Sequence, residues 1–192
     1  MKTNDSGKLE ETIKAIVAAI VGTGDVVQAV VNTITQTLAT TIKDTGQVGT
    51  SVTDAIADVA RGAVRGALQV GADLGHATQG IMVGVLRGTK EAGAEVIRTI
   101  SHTAQVAIKD TAVVGGDLEV AATGLVQGAI TGAKELGVSA EDAAAAAASG
   151  ALKGADEVSS AALKTVRKAF TKTIHGVKVE AKEPEPALLG NN

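Results

Sequence analysis

The sequence predicts an all-α fold of tandem 22-residue amphipathic repeats, which form long antiparallel helices in a hairpin or bundle. Three observations lead to this prediction. The stretch 71–93 returns 44 residues later as 115–137, and a clear internal repeat indicates a repeat architecture. Glycine heads five consecutive rows of 22 residues, at Gly49, Gly71, Gly93, Gly115 and Gly137. The sixteenth row position is always aliphatic: Ile20, Ile42, Val64, Leu86, Ile108, Ile130, Leu152 and Ile174.

The period itself favours helices. Twenty-two residues are two elevens, and eleven residues make three turns at about 3.67 residues per turn. Within the row that begins at Gly49, apolar residues recur at steps of three and four, which is typical of a helix. The six consecutive alanines at 143–148 are also strong helix formers.

The composition limits the possible functions. Hydrophobic residues make up 45% of the chain but aromatic residues only 1%, and there are 23 glycines and no cysteine. A core of this kind depends on the close approach of small side chains, because the rings that usually fill a core are missing. The net charge of −3 lacks the basic excess typical of nucleic-acid binders. We therefore expect no nucleic-acid partner.

The ends of the chain differ from its middle. We expect a flexible N-terminus at 1–7, a helical repeat region at 8–176 and a disordered tail at 177–192, where charges and two prolines replace the helical pattern. Residues 13–22 resemble a short signal-peptide core, but Asp5, Glu10 and Glu11 lie where such a peptide is basic. A cytoplasmic or membrane-peripheral location is therefore favoured over secretion. The uncharged run 26–42 is too polar for a membrane span.

Helix starts recur with the repeat. The third row position carries mostly N-cap residue types after a glycine, namely Ser51, Asp73, Glu95, Asp117 and Ser139. Breaks are predicted at 22–25, 45–51, 115–117 and 137–139. The rows at Gly71 and Gly93 can either break or continue through a bend, since one interior glycine costs only about 1 kcal/mol.

A helical wheel separates the residues into a broad aliphatic face, a polar face and a stripe of small residues. The predicted apolar face consists of Val52, Ile56, Val59, Val64, Val70, Leu74, Ile81, Val85, Leu86, Ile108, Leu118, Leu125, Ile130 and Leu152. The predicted helix-packing glycines are Gly62, Gly66, Gly80, Gly84, Gly88, Gly124, Gly128, Gly132, Gly150 and Gly154. A Gly-xxx-Gly stripe lets two helix backbones approach closely, and it favours packing of one helix against another.

No chemical site emerges from the sequence. The glycine clusters lack the Gly-Lys-Ser/Thr ending of a phosphate loop. The carboxylate pairs Asp54/Asp58 and Glu141/Asp142 are typical of solvated helix faces or helix starts. The three histidines, His76, His102 and His175, occupy different repeat positions and lack a second ligand at helical spacing. We predict no catalytic residue, cofactor, metal or small-molecule substrate.

One motif resembles known families. Lys90-Glu91 and Lys134-Glu135 lie in Gly-Thr-Lys-Glu-Ala-Gly and Gly-Ala-Lys-Glu-Leu-Gly, which resemble the Lys-Thr-Lys-Glu-Gly-Val centre of the synuclein repeats. The 22-residue unit is similar to that of the exchangeable apolipoproteins. This resemblance implies an amphipathic helix that is mobile in water and lies on lipid. Here glycine replaces the apolipoprotein proline, and valine and alanine replace leucine and aromatic residues.

Two functions remain open, and both are non-enzymatic. In the first, the chain associates with an apolar surface such as lipid, a membrane or a granule, and with itself through its glycine-rich helix faces. In the alternative, it is a purely structural protein that assembles with itself as an oligomer or filament without lipid. The glycine stripe favours self-association, because a helix lying on a surface has no need of a face reserved for another backbone. A hydrophilin-like stress protectant also fits the repeat, but it does not fit the mean hydropathy of +0.22.

Overall fold

The computed structural model describes residues 3–45, 50–90 and 95–179. These residues form a packed all-α bundle of eight helices, and no β-strand occurs among them apart from a single bridge between Ile174 and Val177. The helices are α1 (Thr3–Thr23), α2 (Val26–Thr45), α3 (Thr50–Gln69), α4 (Leu74–Thr89), α5 (Val96–Val113), α6 (Leu118–Leu136), α7 (Ala140–Asp156) and α8 (Ser160–Ala169). The all-α prediction is confirmed.

The helices form two layers. The odd-numbered helices α1, α3, α5 and α7 each pack on the next odd helix, and the even-numbered helices α2, α4, α6 and α8 do the same. Each helix also contacts its neighbours in sequence, so the chain alternates between the layers. The result is a stack of four helical hairpins, with α1 and α2 at one end and α7 and α8 at the other.

Four consecutive helices keep the spacing of the 22-residue repeat. Helices α4 to α7 begin at Leu74, Val96, Leu118 and Ala140, which are spaced by the repeat length. The chain breaks between α3 and α4, where Gly71 has a φ of 66°, so the alternative of a bend through Gly71 is wrong. Gly93 itself lies outside the described residues. The helices contain 10 to 21 residues, so none extends over two units as the prediction of long helices allowed.

Glycines at the heads of the rows end the helices. Gly71, Gly115 and Gly137 have φ between 66° and 73°, in the left-handed region that glycine adopts without steric cost. After α6, the backbone N–H of Gly137 donates to the Lys134 carbonyl and that of Val138 to the Ala133 carbonyl. These bonds occupy carbonyls that would otherwise lack a partner at the helix end.

Polar side chains cap the helix starts that follow. The carboxylate of Asp73 accepts from His76 N at 2.8 Å, that of Asp117 accepts from Glu119 N at 2.9 Å, and Ser139 Oγ accepts from Asp142 N at 3.2 Å, as predicted. Glu95 precedes α5 but its side chain makes no capping hydrogen bond. Its longer side chain makes a poorer N-cap than that of Asp. Ser51 lies inside α3, and its side chain is outside the described residues.

The ends of the chain are described in part. Helix α1 already includes residues 3–7, which the sequence analysis assigned to a flexible N-terminus. After α8, the chain turns back at the Ile174–Val177 bridge, and Ile174 and Val179 are buried. The remainder of the expected tail, 180–192, lies outside the described residues.

Candidate functional surfaces

In the odd layer, glycines lie at the contacts between neighbouring helices. A Cβ atom added at Gly62 would lie 2.6 Å from Thr12 Cγ2 of α1, and one at Gly66 would lie 3.0 Å from Ile16 Cγ2. Gly150 and Gly154 of α7 approach the backbone of α5 more closely still. At these positions any larger residue would push the two helices apart.

The even layer repeats this geometry. Added Cβ atoms at Gly80, Gly84 and Gly88 of α4 would lie 2.8–2.9 Å from side-chain atoms of α2. Gly124, Gly128 and Gly132 of α6 face α4 in the same way, and a Cβ at Gly128 would lie 2.6 Å from the Gln79 carbonyl oxygen.

The paired helices run parallel. Successive glycines of α4 contact successive residues of α2 in the same order: Val30, Ile34 and Leu38. At most of these glycines the nearest residue lies 49 or 50 positions earlier. Each glycine ladder therefore faces the preceding helix of its own layer. Each ladder thus packs on a parallel helix two places earlier in the chain, as α4 does on α2. The sequence had predicted that the ladders pack between antiparallel helices folded back on each other.

The predicted apolar face lies inside the stack. Twelve of its members are buried: Val52, Ile56, Val59, Val64, Leu74, Ile81, Val85, Leu86, Ile108, Leu125, Ile130 and Leu152. The other two, Val70 and Leu118, are partly buried and pack against the same core. These side chains are occupied by contacts between helices.

The contact between α3 and α5 departs from this pattern. We call each contact between consecutive helices of one layer a joint. The ladder positions of α5, 44 residues after Gly62 and Gly66, are Val106 and Asp110. Their side chains hold α5 away from α3, and the α3–α5 packing is sparser than that of α1 with α3 or α5 with α7. A groove of about 440 Å³ opens there, lined by Thr53, Asp54, Ala57, Arg61, His102, Gln105, Val106, Lys109, Asp110 and Val113. The repeat pattern did not predict this groove, although the lack of glycine at 106 and 110 of α5 was a signal of it.

An ion pair bridges this joint. Arg65 of α3 donates to Asp110 of α5 through two nitrogens, at 2.8 and 3.1 Å, and the Asp110 side chain is only 6% exposed. A nearly buried carboxylate needs such a partner because its charge loses water on burial. The pair therefore takes over part of the contact that glycines provide at the other joints.

His102 lies in the wall of the same groove. Its Nε2 atom is buried without a hydrogen-bond partner. Burial lowers the pKa of His102 below its usual value, while a hydrogen bond to the Thr53 backbone opposes that shift. The imidazole is therefore held toward its neutral form. Of the other histidines, His76 pairs with the capping carboxylate of Asp73, and His175 lies exposed in the turn after α8.

The Lys-Glu motif contributes to a joint of the even layer. Glu135 accepts two hydrogen bonds from Arg87 of α4, at 2.7 and 2.8 Å, and the Arg87 guanidinium lowers the pKa of this carboxyl. Lys90 follows the last residue of α4, and Glu91 lies outside the described residues. Lys109 and Glu157 form a corresponding bridge between α5 and the end of α7, at 2.6 Å.

The first hairpin presents its ladder positions to solvent. Ala18 and Gly22 of α1 precede Gly62 and Gly66 by 44 residues, and Gln36 and Thr40 of α2 precede Gly80 and Gly84 by the same distance. All four are exposed. We call the exposed outer side of α1 and α2 the N-terminal face, defined by Lys14, Ala18, Val21, Gly22, Gln28, Asn32, Gln36 and Thr40.

The N-terminal face combines apolar and uncharged polar groups. Val21 is 72% exposed, beside a groove of about 390 Å³ that α1 forms with Gln69, and a Cβ added at Gly22 would meet nothing within 4 Å. On α2, the exposed side chains Gln28, Asn32, Gln36 and Thr40 carry no charge.

Two features are missing from the part of the chain that the structure describes: a cluster of metal ligands and a membrane-spanning helix. Within the described residues, no group of three or more His, Cys, Asp or Glu side chains is placed to hold a metal ion. Nor does any helix there combine the length and apolar character that a membrane crossing requires. Asp54 and Asp58 lie on α3, where Asp58 pairs with Arg61. Glu141 and Asp142 lie in the first turn of α7.

No protein-family model and no curated protein matches this chain.

Proposed function

We propose that this chain is a non-enzymatic structural protein, a helical repeat array that associates with a second copy of itself through its N-terminal face. One observation carries the proposal. In α3, α4, α6 and α7 the ladder glycines lie on the preceding helix of the same layer, whereas no described helix covers the corresponding positions of α1 and α2, which are exposed. A side that elsewhere receives a helix is thus left free at one end of the stack.

The chemistry of the face favours a second copy as the occupant. The amides and hydroxyls of Gln28, Asn32, Gln36 and Thr40 both donate and accept hydrogen bonds, so the surface is complementary to itself under two-fold symmetry. Depletion of charge is also typical of the central part of protein interfaces. Between Asp25 and Lys43, α2 has no charged residue at all.

We further propose that the Gly-xxx-Gly ladders specify the parallel register of the 22-residue repeats. The support is the near-constant separation of 49 or 50 residues between most ladder glycines and their nearest neighbours. Small residues at the contact let dispersion between two backbones replace the contacts of large side chains. A stack specified in this way needs no aromatic core.

Burial of the apolar face supports this proposal over a coat on lipid or a granule. Side chains such as Ile81, Leu125 and Ile130 are at most 1% exposed, so they would reach an apolar surface only if the layers separated. That separation would expose apolar surface, at roughly 25 cal/mol for each Å² until lipid covers it, and would give up the dispersion contacts between the packed helices. Lipid association through the apolar face therefore has a free-energy cost that self-association lacks.

The test is the mass of the protein in solution. Sedimentation equilibrium of the full chain without lipid should give twice the mass of one chain. Ala18→Glu combined with Gln36→Glu, both at exposed positions, should give a folded monomer, because each change places like charges across the two-fold axis. Ala161→Glu adds the same charge at an exposed alanine of α8 and should remain dimeric. A monomeric wild-type protein at high concentration, or a ladder of larger polymers, would overturn the two-fold arrangement.

A further inference from the structure

The last helix and the turn after it carry an excess of positive charge. Residues 160–179 contain Lys164, Arg167, Lys168, Lys172 and Lys178 and no acidic residue, although the chain as a whole has a net charge of −3. All five side chains are exposed. We call these five residues the basic end, since α8 belongs to the last hairpin of the stack.

The basic end arises where the glycine ladder stops. Lys168 and Lys172 occupy the positions 44 residues after Gly124 and Gly128. Both reach Glu119 of α6, at 3.2 and 3.9 Å, so one carboxylate faces two cations. The two lysine side chains remain 72% and 75% exposed. The ion pairs therefore hold the lysines against α6, while most of each lysine side chain stays accessible to a partner.

We propose that the basic end docks on an anionic phospholipid bilayer. Clustered Lys and Arg side chains are attracted to acidic lipid headgroups, and here three of the cations, Lys164, Arg167 and Lys168, lie on α8 itself. Apolar groups accompany the cations: Val158, just before α8, is 42% exposed, and Leu163 and Phe170 are partly buried. This contact uses cations at one end of the stack and leaves the buried apolar face intact.

Charge distribution favours a membrane over nucleic acid. Residues 1–159 contain 12 basic and 18 acidic residues, and a long polyanion would continue past the basic end along this acidic part. A bilayer meets only the end of the stack, and charges farther away than about 8 Å are screened at physiological salt. The chain also has one aromatic residue, whereas single-stranded nucleic acids bind on stacked aromatic side chains.

Vesicle flotation with the full chain tests the proposal. The protein should float with phosphatidylcholine vesicles that contain phosphatidylserine, should not float with pure phosphatidylcholine, and should be released by high salt. Lys164→Gln, Lys168→Gln and Lys172→Gln together should weaken binding on the order of 100-fold, since each cation near an acidic membrane contributes on the order of fivefold. Far-UV circular dichroism establishes that the triple variant is folded.

A matched variant removes the same charge elsewhere. Lys90→Gln, Lys134→Gln and Lys153→Gln, all at exposed positions outside the N-terminal face and the basic end, should bind the acidic vesicles nearly as well as the wild type. Equal losses in the two triple variants would overturn the proposal, as would wild-type protein that ignores phosphatidylserine at low salt. Tighter binding to duplex DNA than to acidic vesicles would assign the basic end to nucleic acid instead.

Discussion

At the scale of the residue, glycine serves two separate purposes in this protein. At Gly71 the backbone has a φ of 66°, and the added Cβ would meet no atom within 4 Å, so the residue is needed for its conformation. At Gly128 the helix is regular and the neighbouring Gln79 carbonyl oxygen lies 2.6 Å from the Cβ position, so the residue is needed for its small size. The two uses alternate at α4, α6 and α7, where a glycine in the preceding turn is followed by ladder glycines within the helix.

Gly128→Ala should lower the free energy of unfolding by about 1–3 kcal/mol, because the added methyl meets backbone atoms of α4 that have little freedom to move. The control is Gly7→Ala, a helical glycine with nothing within 4 Å. It should leave stability unchanged or raise it by up to about 1 kcal/mol, the difference in helix propensity. Urea unfolding of both variants measures the effect. A Gly128→Ala protein as stable as Gly7→Ala would mean that the joint tolerates larger residues.

At the scale of the element, the two arginine bridges show how burial sets the strength of a joint. Arg65 and Arg87 are one repeat apart, and each donates two hydrogen bonds to a carboxylate of the next helix in its layer. The two arginines are similarly exposed, at 37% and 43%, but their partners differ: Asp110 is 6% exposed and Glu135 is 39% exposed. Only the first carboxylate would be left without water if its partner were removed.

Arg65→Met should therefore cost about 1–3 kcal/mol, the penalty of an unsatisfied buried polar group. Arg87→Met should cost less than about 1 kcal/mol, as is usual for exposed ion pairs. Methionine keeps much of the apolar stem in both cases, so the comparison isolates the lost guanidinium. Chemical denaturation at neutral pH measures both values. Equal losses would show that burial of Asp110 is not what makes this bridge matter.

Several helix ends and caps were predictable because their signals are local. Row-head glycines such as Gly115, and caps such as Asp117, depend only on neighbouring backbone, and the structure confirms them. Which helices share a layer depends on contacts between residues about 50 positions apart. A period of 22 does not tell whether a helix packs on the preceding helix in the chain or on the helix before that one. The 44-residue match of 71–93 with 115–137 relates helices of one layer, which became clear only from the packing. The α3–α5 groove required comparison of Val106 and Asp110 with the glycines of other rows.

At the scale of the whole molecule, the stack has two unlike ends. The even layer shows this directly: its ladder positions are Gln36 and Thr40 in α2, glycine in α4 and α6, Lys168 in α8 and Lys172 in the turn after it. The same two repeat positions thus carry uncharged polar residues at one end of the stack, glycine in the middle and lysine at the other end. Repeat arrays require end units that differ from the interior ones, because an end has no neighbour to cover it.

If two copies join at their N-terminal faces, their basic ends point in opposite directions, and the dimer should bridge two acidic vesicles. Wild-type protein should therefore cluster phosphatidylserine vesicles, which a rise in turbidity and in particle size by light scattering measures. The Ala18→Glu and Gln36→Glu double variant should bind the same vesicles through its intact basic end without clustering them, since a monomer has one such end. The Lys164→Gln, Lys168→Gln and Lys172→Gln triple variant should do neither. Clustering by a variant shown to be monomeric would mean that bridging arises from a second membrane contact within one chain.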